Sequence, residues 1–146
     1  MINQLQGVFR CLEKHNVKYV VIGGIASILY GVPRTTFDLD ILIEATSENA
    51  GKLLQALQET GLGTALLTTP ENILGNEITI FQDRVRIDVQ TKTPGIEFET
   101  AWENRNTVEY QGQKFHLLSK SDLIASKEAA GRPKDLEDIR LLRLDN

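Results

Sequence analysis

Apolar positions Leu5, Val8, Phe9 and Leu12 recur at helical spacing and predict an amphipathic helix over Ile2 to Glu13, ending near His15 and Asn16. Lys18 to Ile22 is a β-branched and aromatic run closed by Gly23-Gly24, and Ile25 to Tyr30 reads as one or two helical turns. The local order is therefore strand, glycine turn, helix. Phe37 to Glu44 then alternates, with Phe37, Leu39, Ile41 and Ile43 on one side and Asp38, Asp40, Leu42 and Glu44 on the other. That pattern predicts a strand buried on one face.

Thr46 or Ser47 caps a helix running to about Thr60, with Ala50, Leu53, Leu54 and Leu57 as its stripe and Gly61 as its stop. Glu77 to Phe81 and Val85 to Thr91 predict a hairpin about Gln82-Asp83-Arg84. In its second strand Val85, Ile87 and Val89 alternate with Arg86, Asp88 and Gln90, so Asp88 belongs to a polar face. Phe98 to Arg105 predicts a short helix, and Val108 to Tyr110 with Lys114 to Leu117 a hairpin turning at Gln111-Gly112. Ser119 or Ser121 caps a helix to about Gly131, and Pro133 opens a last one to about Leu144.

No repeat or linker divides the 146 residues, so one domain over 1–146 is expected, a sheet-bearing part over 1–117 followed by a helical pair over 118–146. At 41% hydrophobic and 25% charged residues the chain has a globular composition, which excludes a disordered one. Its net charge of −4 argues against a long nucleic acid as partner, because no global basic field exists to attract one. Cys11 is the only cysteine, which excludes an internal disulfide and a thiolate zinc cage. With no secretory signal and no apolar run long enough to span a bilayer, a cytoplasmic protein without membrane contact is expected.

The chemistry concentrates in three places: Gly23-Gly24 at a strand-to-helix turn, Asp38 and Asp40 on one strand face, and Asp88 on a later strand. Carboxylates two apart on a strand lie roughly 7 Å apart on one side, and gathering three on a sheet face is unfavourable without a cation. Oxygen donors select hard ions, Mg²⁺ or Mn²⁺. Two such ions on Asp38, Asp40 and Asp88 would form a phosphoryl-transfer arrangement, one activating a hydroxyl and the other carrying the triphosphate of an NTP. Gly23 and Gly24 would let backbone N–H groups approach phosphate, and Ser27 could add a hydroxyl.

Gly23-Gly24, thirteen intervening residues, Asp38-Leu39-Asp40 and the later Ile87-Asp88-Val89 resemble the DNA polymerase β-like nucleotidyltransferase superfamily. The strings GGIASILYGVPRTTFDLDILI and KEAAGRPKDLEDI are similar to its small bacterial and archaeal branch, which includes toxin–antitoxin nucleotidyltransferases of the abortive-infection type. The likeness spans Tyr19 to Leu142, with a glycine where many members carry a Gly-Ser pair. It implies an α/β (α+β) nucleotidyltransferase fold, a small mixed sheet flanked by helices with two C-terminal helices over the nucleotide. It further implies that Asp38 and Asp40 bind both metals, that Asp88 binds the catalytic one and helps to activate the nucleophile, that Lys127 contacts triphosphate and that Asp135 assists.

The expected activity is transfer of a nucleoside monophosphate from an NTP such as ATP to a hydroxyl acceptor (RNA, a protein side chain or a small molecule), with release of pyrophosphate. A homo-oligomer or cognate protein partner would complete so small an acceptor region. The alternative is a non-catalytic, antitoxin-like protein that keeps the fold and binds a partner.

Each residue also has a plainer account. Gly23-Gly24 alone is most simply a tight turn, and Asp38 and Asp40 alone a wet strand face, as Glu44 is. Arg34, Thr35 and Thr36 fit phosphate or base steering equally with a polar turn after Pro33. Lys127, Arg132 and Asp135 complement helix dipoles, and Asp138 with Arg140 reads as a solvated helix face. His15 is expected at a helix end, His116 without a ligand partner, and Phe98 against Trp102 as a core contact.

Overall fold

The structure, a computed structural model, describes residues 2–144, and of Ile2 and Asn3 the backbone alone. Helix α1 (Ile2–Lys14) leads into β1 (Tyr19–Ile22), α2 (Gly23–Leu29) and β2 (Asp38–Ile43). Then come α3 (Ser47–Glu59), a 3-10 turn (Gly63–Leu67), α4 (Pro70–Leu74) and the hairpin β3 (Ile78–Gln82) and β4 (Arg86–Gln90). Helix α5 (Phe98–Asn104), β5 (Asn106–Tyr110), β6 (Gln113–Leu117), α6 (Lys120–Ala130) and α7 (Pro133–Leu144) complete it.

Local chemistry accounts for most boundaries. Thr46 Oγ1 accepts from Asn49 N at 3.1 Å and Ser119 Oγ from Asp122 N at 3.1 Å, so α3 and α6 begin where their caps stand. Gly131, at φ +64°, ends α6 in the left-handed conformation, and Pro133 opens α7. Gln111 and Gly112 both have positive φ, as a two-residue hairpin turn of the twist-compatible kind requires. The 3-10 turn and α4 are additions to the elements that periodicity predicts. A signal for α4 is present: Thr69 caps it by accepting from Asn72 N at 3.2 Å, and Pro70 takes its first turn.

The sheet has six strands in the order β3-β4-β2-β1-β6-β5. β1 runs antiparallel to β2 and parallel to β6, while β2 and β4 are parallel. Helices α1 and α3 pack on each other, and α2 packs against β1 and β2 and touches α6. The core joins Leu5, Phe9 and Leu12 of α1, Leu53 and Leu57 of α3 and the inner residues of β1 and β2.

Two side chains on the acidic strand depart from simple alternation. Leu42, expected on the polar face, is buried, because β2 lies inside the sheet and its Ile41–Ile43 end is covered on both faces. Phe37, expected on the buried face, is 82% exposed, since the strand begins only at Asp38 and Phe37 precedes the covered region.

Candidate active site

The register of β2 and β4 brings the acidic residues together. Asp40 stands directly opposite Asp88 on the parallel neighbour, and Asp38 opposite Arg86, so residues 48 apart in sequence become neighbours about 4.8 Å apart along the sheet. Gly23 completes this corner. It has φ +71°, and a methyl group on its Cα would overlap Asp40 Oδ2. Glycine is therefore required both for the backbone and for the close approach of the carboxylate. At Gly24 an added methyl would meet Thr36 Cβ and Oγ1 at 3.2 Å, which keeps the segment before β2 close to the start of α2.

The carboxylates carry an unresolved charge problem. Burial, then the charges of Asp88 and Asp38 and a hydrogen bond with Asp88, push the Asp40 carboxyl up to about 7. Arg86 offsets part of the repulsion, donating from Nε to Asp88 Oδ1 at 2.9 Å and from Nη2 to Asp88 Oδ2 at 3.2 Å. Its Nε also lies 3.7 Å from Asp38 Oδ2. Among the described residues no three acidic, histidine or cysteine side chains are already drawn together as a coordination shell. Arg86 is thus the cation that lies between Asp38 and Asp88. The donor set itself is three carboxylates and suits a hard divalent ion.

A cleft of about 390 Å³ opens above these residues. Its lining includes Gly23, Gly24, Asp38, Asp40 and Asp88 together with Arg34, Lys127, Arg132, Lys134 and Asp135. Of the sequence-identified site residues Ser27 is absent from this lining, as is Thr35 between Arg34 and Thr36, which do line it. Ser27 is fully buried, and its hydroxyl donates back to Gly23 O at 3.3 Å, one helical turn earlier.

The wall formed by α6, α7 and the 31–37 segment is cationic and tightly braced. Asp138 corrects the reading of a solvated face: it is only 4% exposed, and its Oδ2 accepts from Lys127 Nζ at 2.9 Å and Arg34 Nη1 at 2.6 Å. The packing of α6 against α7 turns this face inward, which a helical pattern with almost no apolar asymmetry does not reveal. Lys127 Nζ also lies 3.7 Å from Asp135 Oδ1. Arg132 Nε donates to Asp135 Oδ2 at 2.6 Å, and its Nη2 to Oδ1 at 3.2 Å. Burial works against the Asp135 carboxylate, but the hydrogen bonds and charge of Arg132, with Lys127 behind, hold its pKa below the usual range. Three cations thus face two carboxylates, and the wall keeps a positive surplus opposite the acidic floor.

The other candidates lie elsewhere. Arg140 pairs with exposed Glu137, as a solvated face would have it. His15 Nε2 is 3.0 Å from Glu59 at the end of α1. The His116 ring meets the edge of Trp102 at a centroid distance of 5.0 Å, and Phe98 stacks on Trp102 at 5.9 Å.

A mixed sheet with a strand, Gly-Gly turn and helix beside paired aspartates, and a third aspartate on the parallel neighbour, is the nucleotidyltransferase fold. The chain belongs to the family described as nucleotidyltransferase of unknown function (DUF6036), whose model matches residues 2–145. Among solved structures it is similar to a Thermotoga maritima protein that bears a provisional nucleotidyltransferase name, with TM-score 0.60 and 18% identity over 99% of this chain and 93% of that one. It is also similar to an antigenic nucleotidyltransferase-like protein from Paracoccidioides brasiliensis, with TM-score 0.59 and 20% identity over 94% of this chain and 72% of that one. At these identities the likeness is one of fold. No curated protein matches the sequence. No described helix is long and apolar enough to cross a membrane.

Proposed function

We propose that the protein transfers a nucleoside monophosphate from an NTP to a hydroxyl acceptor and releases pyrophosphate. The observation that carries this reading is the strand register: Asp40 and Asp88 lie side by side with Asp38 on the same face, under a cleft whose opposite wall is cationic. Asp38, Asp40 and Asp88 would hold Mg²⁺ or Mn²⁺, and two such ions bound there supply charge neutralisation for the triphosphate and a lowered pKa for the attacking hydroxyl. The raised pKa of Asp40 fits that role, because a carboxylate made unfavourable by burial and by its acidic neighbours is relieved by a bound cation.

The chain's own groups divide the remaining work. Gly23 lets the Asp40 carboxylate close onto the turn and Gly24 lets Thr36 do the same, so the backbone at the start of α2 lines the cleft beside the acidic floor. Arg34, Arg132 and Lys134 present positive charge from the other wall. An ammonium has three donors, so Lys127, with one donated to Asp138 and one directed toward Asp135, keeps a third for the cleft. Asp135 acts by holding Arg132 and Lys127 in place.

The test is thermal unfolding of wild type and Asp38→Asn/Asp40→Asn with each NTP, with and without Mg²⁺ or Mn²⁺, and then transfer of labelled nucleotide to RNA, protein and aminoglycoside acceptors. A ligand that binds only the native state raises Tm. The reading requires a metal-dependent NTP shift in wild type that the double variant loses, and transfer that Asp38→Ala abolishes. Transfer at the wild-type rate by that variant would overturn it. The second reading, an antitoxin-like partner-binding protein without turnover, draws on Arg86, which in this structure occupies the space between the carboxylates. It expects no transfer, whether or not a nucleotide binds, and it expects partner inhibition to survive Asp38→Asn.

A further inference from the structure

The open edge of the sheet carries information that the cleft does not use. Among the edge strands, β5 bears Glu109, and its Tyr110 carbonyl accepts from Gln6 Nε2 at 3.2 Å. β3, with the sequence Ile-Thr-Ile-Phe-Gln, has no charge and no proline. Lysine, proline or a bulge is how edge strands are normally kept from pairing with another chain, and β3 has none of these features.

The direction of its backbone is set by the ladder. Thr91 N donates to Glu77 O and Asp83 N to Val85 O, so the residues of β3 that exchange bonds with β4 are those in phase with 77 and 83, namely Thr79 and Phe81. Ile78, Ile80 and Gln82 therefore aim their N–H and C=O groups outward. The side chains of Ile78 and Ile80 are also half-exposed, at 51% and 50%. The nearby 3-10 turn, which packs on β3, leaves Leu66 and Leu67 exposed as well.

We infer that this edge pairs with the β3 of a second copy of the chain, antiparallel, with Thr79 on the two-fold axis. Outward-facing residues must pair with outward-facing residues, which places the axis on a residue rather than between two, and the registers that overlap most of the strand are those centred on Thr79, Ile80 or Phe81. With Ile80 on the axis, Glu77 of one copy stands opposite Asp83 of the other, like charges in a close cross-strand position. With Phe81 on the axis, apolar Ile78 stands opposite the charged Arg84 of the turn. With Thr79 on the axis the like-charge pair is absent and Ile78 pairs with Ile80 of the second copy twice over at the centre of the seam, while Glu77 stands opposite Phe81 only at its ends. This register also addresses a defect in the isolated chain. Thr79 Oγ1 has no hydrogen-bond partner within the chain, and on the axis Thr79 stands opposite its own equivalent, where a turn of its side chain toward the edge brings the two hydroxyls together. The assembly is a closed, isologous dimer with one continuous sheet. Both clefts open on the same face, with the Ile78–Ile80 pairs as an apolar ridge between them, because Ile80 stands beside Asp88 in the register.

Sedimentation equilibrium of the wild type at ~100 µM should give about twice the 16.3 kDa chain mass, and Ile80→Lys should return the single-chain mass. Thr79→Cys, with oxidised glutathione as oxidant, should form a covalent dimer, because non-hydrogen-bonded pairs bring Cβ atoms close. Wild type, whose sole Cys11 is buried, should not. Hydrogen exchange on the unaltered protein provides an arm independent of any variant's folding. In the dimer the amides of Ile78 and Ile80 are protected, whereas on a free edge they exchange as exposed groups. A wild-type monomer would overturn the inference, as would a dimer with unprotected Ile78 and Ile80 amides and no cross-link in the Thr79→Cys variant.

Discussion

Asp138 provides the most direct test of how the cationic wall is built. Replacing it with alanine removes the acceptor of two charge-assisted bonds, from Lys127 at 2.9 Å and Arg34 at 2.6 Å. The two cations respond differently to that loss. Arg34, with 27% of its side chain exposed, can turn to water, while Lys127, at 8%, retains only Asp135 at 3.7 Å. A buried charge that loses its partner typically costs ~3–5 kcal/mol, a large part of the ~5–15 kcal/mol that holds a domain together. Removing both charges should cost far less, because a buried pair replaced by apolar groups of similar volume is often neutral. Lys127→Met/Asp138→Leu is therefore expected to recover at least ~2 kcal/mol relative to the sum of the single changes. Urea unfolding of wild type, the two single variants and the double variant, with the slopes checked for constancy, measures this cycle. An Asp138→Ala loss within ~0.5 kcal/mol, the usual size for a surface change, would refute the argument that this face of α7 is buried and paired.

Asp40 makes stability depend on pH in the metal-free protein. Its pKa is about 7 in the fold against 3.8 in the open chain, so folding favours the protonated form; the associated stability is complete below pH ~4 and is lost as pH rises through about 7. In EDTA, Asp40→Asn should exceed wild type in stability by roughly 2 kcal/mol at pH 5 and ~4 kcal/mol at pH 8, and a pH-independent difference in urea unfolding would contradict this. Gly23→Ala must accommodate a methyl group against Asp40 Oδ2 at φ +71°, and should lose ~1–3 kcal/mol along with any metal-dependent NTP shift in Tm. Arg86→Met removes the cation that now bridges Asp88 and Asp38, so the metal-free protein should be less stable and Mg²⁺, monitored by calorimetry, should bind several-fold more tightly. Weaker Mg²⁺ binding by that variant would show that Arg86 does not compete for the site.

Local patterns carried much of this protein by themselves. The apolar stripes of α1 and α3, the caps Thr46 and Ser119, the stop at Gly131 and the Gln111-Gly112 turn act within a few residues, so their physics is complete in a short stretch of chain. The glycine turn and the acidic alternation of β2 were legible for the same reason. What a single strand cannot state is which strand lies beside it. The neighbourhood of Asp40 and Asp88 comes from a parallel pairing across 48 residues, and the raised Asp40 pKa exists only once that pairing gathers the charges and excludes water. Asp138 was hidden for a related reason: whether a helix face meets solvent depends on the helix packed against it, and α6 supplies that cover. Phe37 shows the converse, an apolar residue left exposed because the sheet begins one residue later. Ser27, plausible by its distance from the glycines, was removed from the cleft by the helix itself, whose turn directs the hydroxyl back to Gly23 O. Thus short-range spacing determined the elements and the chemical types available, whereas strand order, register and helix packing decided which of those groups meet and in what charge state.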